Sequence, residues 1–80
     1  MINFSFSTNI SSAISVMEVI PYIESFPAIR SWSIDTNAPD FLFEIETDND
    51  TEADEIVQLI KKAGFSIILL EKSLSKPYPI

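Results

Sequence analysis

The sequence has no cysteine and no histidine, and only one glycine, Gly64, in 80 residues. Without cysteine there is no disulfide, no thiolate nucleophile and no soft metal ligand, and nothing that reports a redox compartment. Without histidine the chain lacks the side chain that ordinarily titrates near neutral pH, and its serines lack their usual base. Cations are scarce as well. Arg30, Lys61, Lys62, Lys72 and Lys76 stand against 12 carboxylates, for a formal charge of −7. Neutralising phosphates takes clustered lysine and arginine, so nucleic acid is excluded as a partner. No apolar run approaches the roughly 20 residues that cross a bilayer, and no basic stretch precedes an apolar block at the N-terminus. No membrane contact and a cytoplasmic setting are therefore expected. The acidity, with a pI near 4.2, serves solubility first; docking on a basic partner domain is its more specific use.

What is present argues for a folded domain. An apolar fraction of 46% and a mean hydropathy of +0.21 are too high for a disordered chain. Eighty residues allow one domain with a thin core. Ile2, Phe4 and Phe6 alternate with Asn3, Ser5 and Ser7, a half-buried strand ending near Thr8. Ser11 and Ser12 then offer N-cap hydroxyls, and Ala13, Val16, Met17, Ile20 and Ile23 fall on one helical face. Pro21 predicts a kink within that helix, and Phe26-Pro27 its end.

A second strand is predicted over Ile29–Asp35, with Trp32 and Ile34 on one face and Ser31 and Ser33 on the other. Residues 36–40 read as a turn, and Phe41, Phe43 and Ile45 then alternate with Leu42, Glu44 and Glu46 in a third strand. Thr51 with Asp54 fits a capping box at the start of a second helix. Its stripe is Ala53, Ile56, Val57, Ile60 and Ala63, with Gly64 at the C′ position. The fourth strand spans 66–71 and is apolar on both faces through Ile67, Ile68, Leu69 and Leu70. Residues 1–72 form the expected domain, and 73–80, with Pro77 and Pro79, an expected tail.

Strand, helix, strand, strand, helix, strand is best closed by laying both helices on one face of an antiparallel sheet. The expected fold is therefore α+β, a ferredoxin-like βαββαβ sandwich with strands one and three central and strands two and four at the edges.

Three stretches carry a family resemblance. Phe6-Ser7-Thr8-Asn9-Ile10-Ser11-Ser12-Ala13-Ile14-Ser15-Val16 resembles the opening of heavy-metal-associated, copper-chaperone-like domains, whose first loop reads M-x-C-x-x-C. Ile10 takes the methionine place, and Ser12 and Ser15 take the two cysteine places. Residues 26–35, ending Ile34-Asp35, resemble the segment leading into the family's second strand, which closes with Val-Asp. Lys61-Lys62-Ala63-Gly64-Phe65 is similar to its K-x-A-G-[YF] helix end. The resemblance covers residues 2–71 and implies a domain that holds Cu(I) or another soft metal between two thiolates. It also implies that Phe65 packs near the loop, beneath Ser12.

The departure falls on the ligands. A serine hydroxyl is hard and stays protonated, so Ser12 and Ser15 are expected to keep the loop's shape and to cap the first helix without holding a metal. No cofactor is expected. Ile14, where the family has small or polar residues, is expected to be exposed on the loop. The acidic run from Glu44 to Asp54 contains D-N-D but neither the glycine nor the closing glutamate of a calcium loop, so it reads as solvated. No nucleophile is paired with a base, and Arg30 stands in the wrong place for the phosphate chemistry of similar folds, so no enzymatic activity is expected.

Three functional readings follow. The first is a heavy-metal-associated-like interaction or regulatory module acting beside a metal-transport protein or chaperone. The second is a metal carrier whose two cysteines have been replaced by serine. The third is a ligand-sensing module of the ACT kind, for which the glycine usual after the first strand is missing. The apolar fourth strand predicts either a weak homodimer or a partner domain on that strand or on the sheet's open face.

Overall fold

The computed structural model describes residues 1–74. The elements run β1 (Ile2–Thr8), α1 (Ala13–Glu24), β2 (Ile29–Asp35), β3 (Leu42–Thr47), α2 (Ala53–Lys62) and β4 (Ile67–Leu74). They form one antiparallel sheet in the order β2-β3-β1-β4, with both helices on one face. This is the expected α+β, ferredoxin-like βαββαβ sandwich, with β1 and β3 central.

The period of two explains β1. Ile2, Phe4, Phe6 and Thr8 are buried, while Asn3, Ser5 and Ser7 look out of the sheet's other side. Register aligns the apolar rows across strands: Phe6 lies beside Phe43, which lies beside Ile34, and Phe4 lies beside Ile45, which lies beside Trp32. The rings follow this register. Their centroids are 5.9 Å apart for Phe4 and Phe6, 6.0 Å for Phe6 and Phe43, and 6.4 Å, edge-on, for Trp32 and Phe43. Tilted and edge-on contacts of this kind suit the charge distribution of aromatic rings. From the helices Val19, Ile23, Ile56 and Ile60 close over these rows. Each such side chain taken out of water contributes about 1.5–3 kcal/mol before ordering costs.

The α2 stripe lies where its spacing put it, with Ile56 and Ile60 buried and Ala53, Val57 and Ala63 against the core. Gly64 follows at a φ of +97°, which a residue with a Cβ adopts only at a cost. There the Phe65 N–H donates to Ile60 O and the Gly64 N–H to Lys61 O, the paired bonds that close a helix on a left-handed residue.

Four expectations are corrected. In α1 the buried residues are Val19 and Ile23, flanked by Val16 and Ile20, while Met17 (68% exposed) and Ala13 face solvent. The helix is apolar around most of its circumference, so spacing alone leaves its phase open. It continues through Pro21 and ends at Glu24, ahead of Phe26-Pro27. The N-cap of α2 is Glu52 rather than Thr51: the Glu52 N–H donates to the Glu55 carboxylate at 2.8 Å, and the Glu55 N–H to Glu52 O at 3.0 Å. Thr51 is buried instead, its hydroxyl donating to the Asp48 carboxylate at 2.7 Å. Phe41 stands outside β3 with a φ of +46°, an uncommon conformation for so large a side chain. Finally, β4 runs on to Leu74, because Ser73 and Leu74 pair with Asn3 and Ile2. The rest of the expected tail, 75–80, lies outside the described residues.

The phase of α1 is open to direct test. Val19→Ala should lower the unfolding free energy by about 2 kcal/mol, whereas Met17→Ala should change it by no more than about 0.5 kcal/mol. Urea midpoints in the reverse order would place the wrong face of α1 on the sheet.

Candidate functional site

The candidate site is the loop between β1 and α1, and its shape is fixed from below. Ile10 is fully buried in the core, which pins the chain midway between strand and helix. On the strand side Thr8 works through both its backbone and its hydroxyl. The hydroxyl donates to Phe41 O at 2.8 Å and accepts the Ile10 N–H at 3.1 Å, while the Thr8 N–H donates to Asp40 O. These bonds hold the 36–41 turn and the left-handed Phe41 against the end of β1. Asn9 does the same for the turn before β4, accepting the Ser66 N–H on Oδ1 at 2.8 Å and donating its own N–H to Ser66 O at 3.3 Å.

On that base stand the two serines. Ser12 has extended backbone angles and caps α1: its Oγ accepts the Ser15 N–H at 3.2 Å, and its carbonyl accepts the Val16 N–H at 3.0 Å. One orphan donor of the helix start is thereby satisfied. The Ser12 hydroxyl donates to the Ser15 Oγ at 3.1 Å. The hydroxyls of Ser12 and Ser15 therefore face one another at the start of α1. Ser12 is exposed and Ser15 half-buried. Ile14 stands 71% exposed beside them. Phe65 is half-buried against the core cluster that contains Ile10. Lys61 and Lys62 are placed elsewhere, lining a hollow with Phe26, Asp54, Glu55, Gln58 and Leu59 along α2.

The donor set does not fit a soft cation. Both candidate ligands are hydroxyl oxygens, hard and protonated at neutral pH, and the Ser12 oxygen is already engaged with the first turn of α1. Nor do the carboxylates assemble a hard-cation site: no group of three or more acidic side chains among the described residues is arranged to hold a metal. Asp48, in the acidic run, is used locally. The Thr51 hydroxyl holds its carboxyl below the usual aspartate range, aided by the Asp50 N–H and the charge of Arg30 against a smaller opposing effect of burial. The sequence did not single out Thr8, Asn9 and Asp48 as supports. A Thr at a strand end and an Asn after it are the signals that were there, and their partners lie 33 and 57 residues away.

No family model matches the sequence, and no curated protein matches it either. Solved structures do. A copper-binding domain from the P-type ATPase HMA7 superposes with a TM-score of 0.78 at 16% identity, covering 92% of this chain and 100% of that one. The yeast copper transporter domain CCC2A gives 0.76 at 15% identity, over 91% and 100%. The apo HMA domain of the copper chaperone for superoxide dismutase gives 0.72 at 13%, over 100% of this chain and 82% of that one. At these identities the likeness is one of fold, and the chain has the βαββαβ fold of the copper-binding, heavy-metal-associated domains.

Proposed function

We propose that this chain works as an interaction or regulatory module of the heavy-metal-associated kind, one that keeps the loop of a Cu(I) carrier and has lost its ligand chemistry. The observation that carries this reading is the facing pair of hydroxyls, Ser12 and Ser15, 3.1 Å apart on a loop pinned by Ile10 and Thr8. Two solved structures that share the fold are a copper-binding domain and a copper transporter domain by name. A domain of this shape without thiols can still meet the proteins that its metal-bearing counterparts meet, and a metal-transport protein is the partner class proposed. No cofactor, no catalysis and no nucleic-acid or membrane contact belongs to this reading, which sets the protein in the cytoplasm. A second reading, a metal carrier with serines in place of its cysteines, draws on the same geometry, since thiols at 12 and 15 would converge on one point.

Two measurements test this. In a competition with a chelator of ordinary strength, the unmodified chain should take up no Cu(I), and Ser12→Cys with Ser15→Cys should take up one equivalent. Neither single variant should match the pair, because two thiolates sharing one ion are needed. Tight, stoichiometric uptake by the unmodified chain would overturn the proposal, and a double variant no better than a single one would show that the two positions do not form a ligand pair. In parallel, Ser12→Ala should lower stability by about 1 kcal/mol through loss of the α1 cap, read as a lower urea midpoint. An unchanged midpoint would remove the capping role.

A further inference from the structure

β4 is the longest strand of the sheet, eight residues, and lies at its edge beside β1. Its outer side has no neighbouring strand among the described residues. It also carries apolar side chains that the core does not take up. Ile68 is 67% exposed, Leu70 51% and Leu74 70%. An edge of this kind is ordinarily blunted by charge or by a bulge. The bulge is present: Ser5 pairs with Glu71 and Phe6 with Leu69, so Leu70 is the extra residue, and it bends the strand without hiding its own side chain. The charge is diverted. Lys72, the only cation on the strand, pairs with Phe4 on the helix face. Its Nζ lies 5.9 Å from the Phe4 ring centroid, within reach of a cation–π attraction. Glu71, opposite Ser5, stays on the other face, as do Glu44 and Glu46 of β3, which lie opposite Ser5 and Asn3. Away from Ile68 the open face carries Asn3, Ser5, Ser7, Ser31, Ser33 and Ser73, with half-buried Leu42 as its one large apolar residue, so its exposed apolar surface is concentrated at the β4 edge.

From this we infer that the outer edge of β4 is a strand-addition site for an extended, cationic segment of a protein partner. Its backbone would extend the ladder, its apolar side chains would cover Ile68 and Leu70, and its Lys or Arg side chains would meet Glu71 and the chain's net charge of −7. The charge decides between occupants. A second copy would bring together two chains that each carry −7 overall, and a pairing centred on Glu71 would set two carboxylates opposite one another, which is destabilising. A basic segment gains from the same field. This deepens the proposed interaction role and rests on it, but it is read without any metal, so its failure leaves the Cu(I) result standing on its own.

The test uses the full chain, isotope-labelled, and a capped peptide of about eight residues, the length of a usual strand, with valine and lysine two positions apart so that both meet the open face carrying Ile68 and Glu71. Amide resonances of β4 should shift and their exchange slow on titration, with affinity falling as salt is raised. Ile68→Lys with Leu70→Lys should weaken binding by about tenfold or more. Met17→Lys, at an exposed position of α1 outside the loop, should leave affinity within about twofold. Equal binding of a valine–glutamate peptide would overturn the inference, as would shifts centred on α1 or β2. So would β4 outer amides already protected in the free chain, or sedimentation showing a dimer without peptide, because either finding means the edge has another occupant.

Discussion

One face of β1 sets the rest of the molecule. Ile2, Phe4, Phe6 and Thr8 are buried on it, and β3 and β4 take their registers from it on either side. The helices have nowhere else to put Val19, Ile23, Ile56 and Ile60. Because that face ends in Thr8 rather than another apolar residue, the chain leaves the sheet with a hydroxyl that bonds forward to Ile10 and across to Phe41. The loop is thus an extension of the core by two residues, and α1 begins from a fixed point. A loop so held does not depend on a ligand for its shape.

That separation of shape from chemistry gives the functional reading its form. In a thiolate site the metal and the loop support each other, since ligand binding is also folding free energy. Here the first turn of α1 is capped by Ser12, whose oxygen satisfies the Ser15 N–H, and the second hydroxyl closes the pair. Serine at these places is close in size to cysteine and different in kind: it keeps the cap and forfeits the soft cation. In the proposed reading the domain works through its surface, which is acidic overall with an apolar edge at β4.

Much of this was legible in the residues. The alternation in β1, β2 and β3, the α2 stripe and Gly64 determine the element order, and the order with its apolar faces leaves few ways to close the sheet. Trp32 and Phe43 were readable as core for the same reason. The phase of α1 was not legible, because Ile14, Val16, Met17, Val19, Ile20 and Ile23 crowd its circumference and only the sheet beneath selects Val19 over Met17. The α2 cap was misread because Thr51 has the better cap chemistry, yet Asp48 three residues earlier competes for its hydroxyl. Ser12, Ser15 and Ile10 could be placed by their resemblance to a known loop. The bonds of Thr8 to Phe41 and of Asn9 to Ser66 span distant parts of the chain, and no local pattern encodes them.

The core holds the loop between β1 and α1 in place through Ile10 and Thr8, with no ligand needed. Backbone order parameters over residues 9–16, measured on the unmodified chain in the presence of a strong chelator, test it most directly. Values of about 0.85 are expected through Ile10, Ser12 and Ser15, equal to those of β1 and β3. Values below about 0.6 across the loop would contradict it.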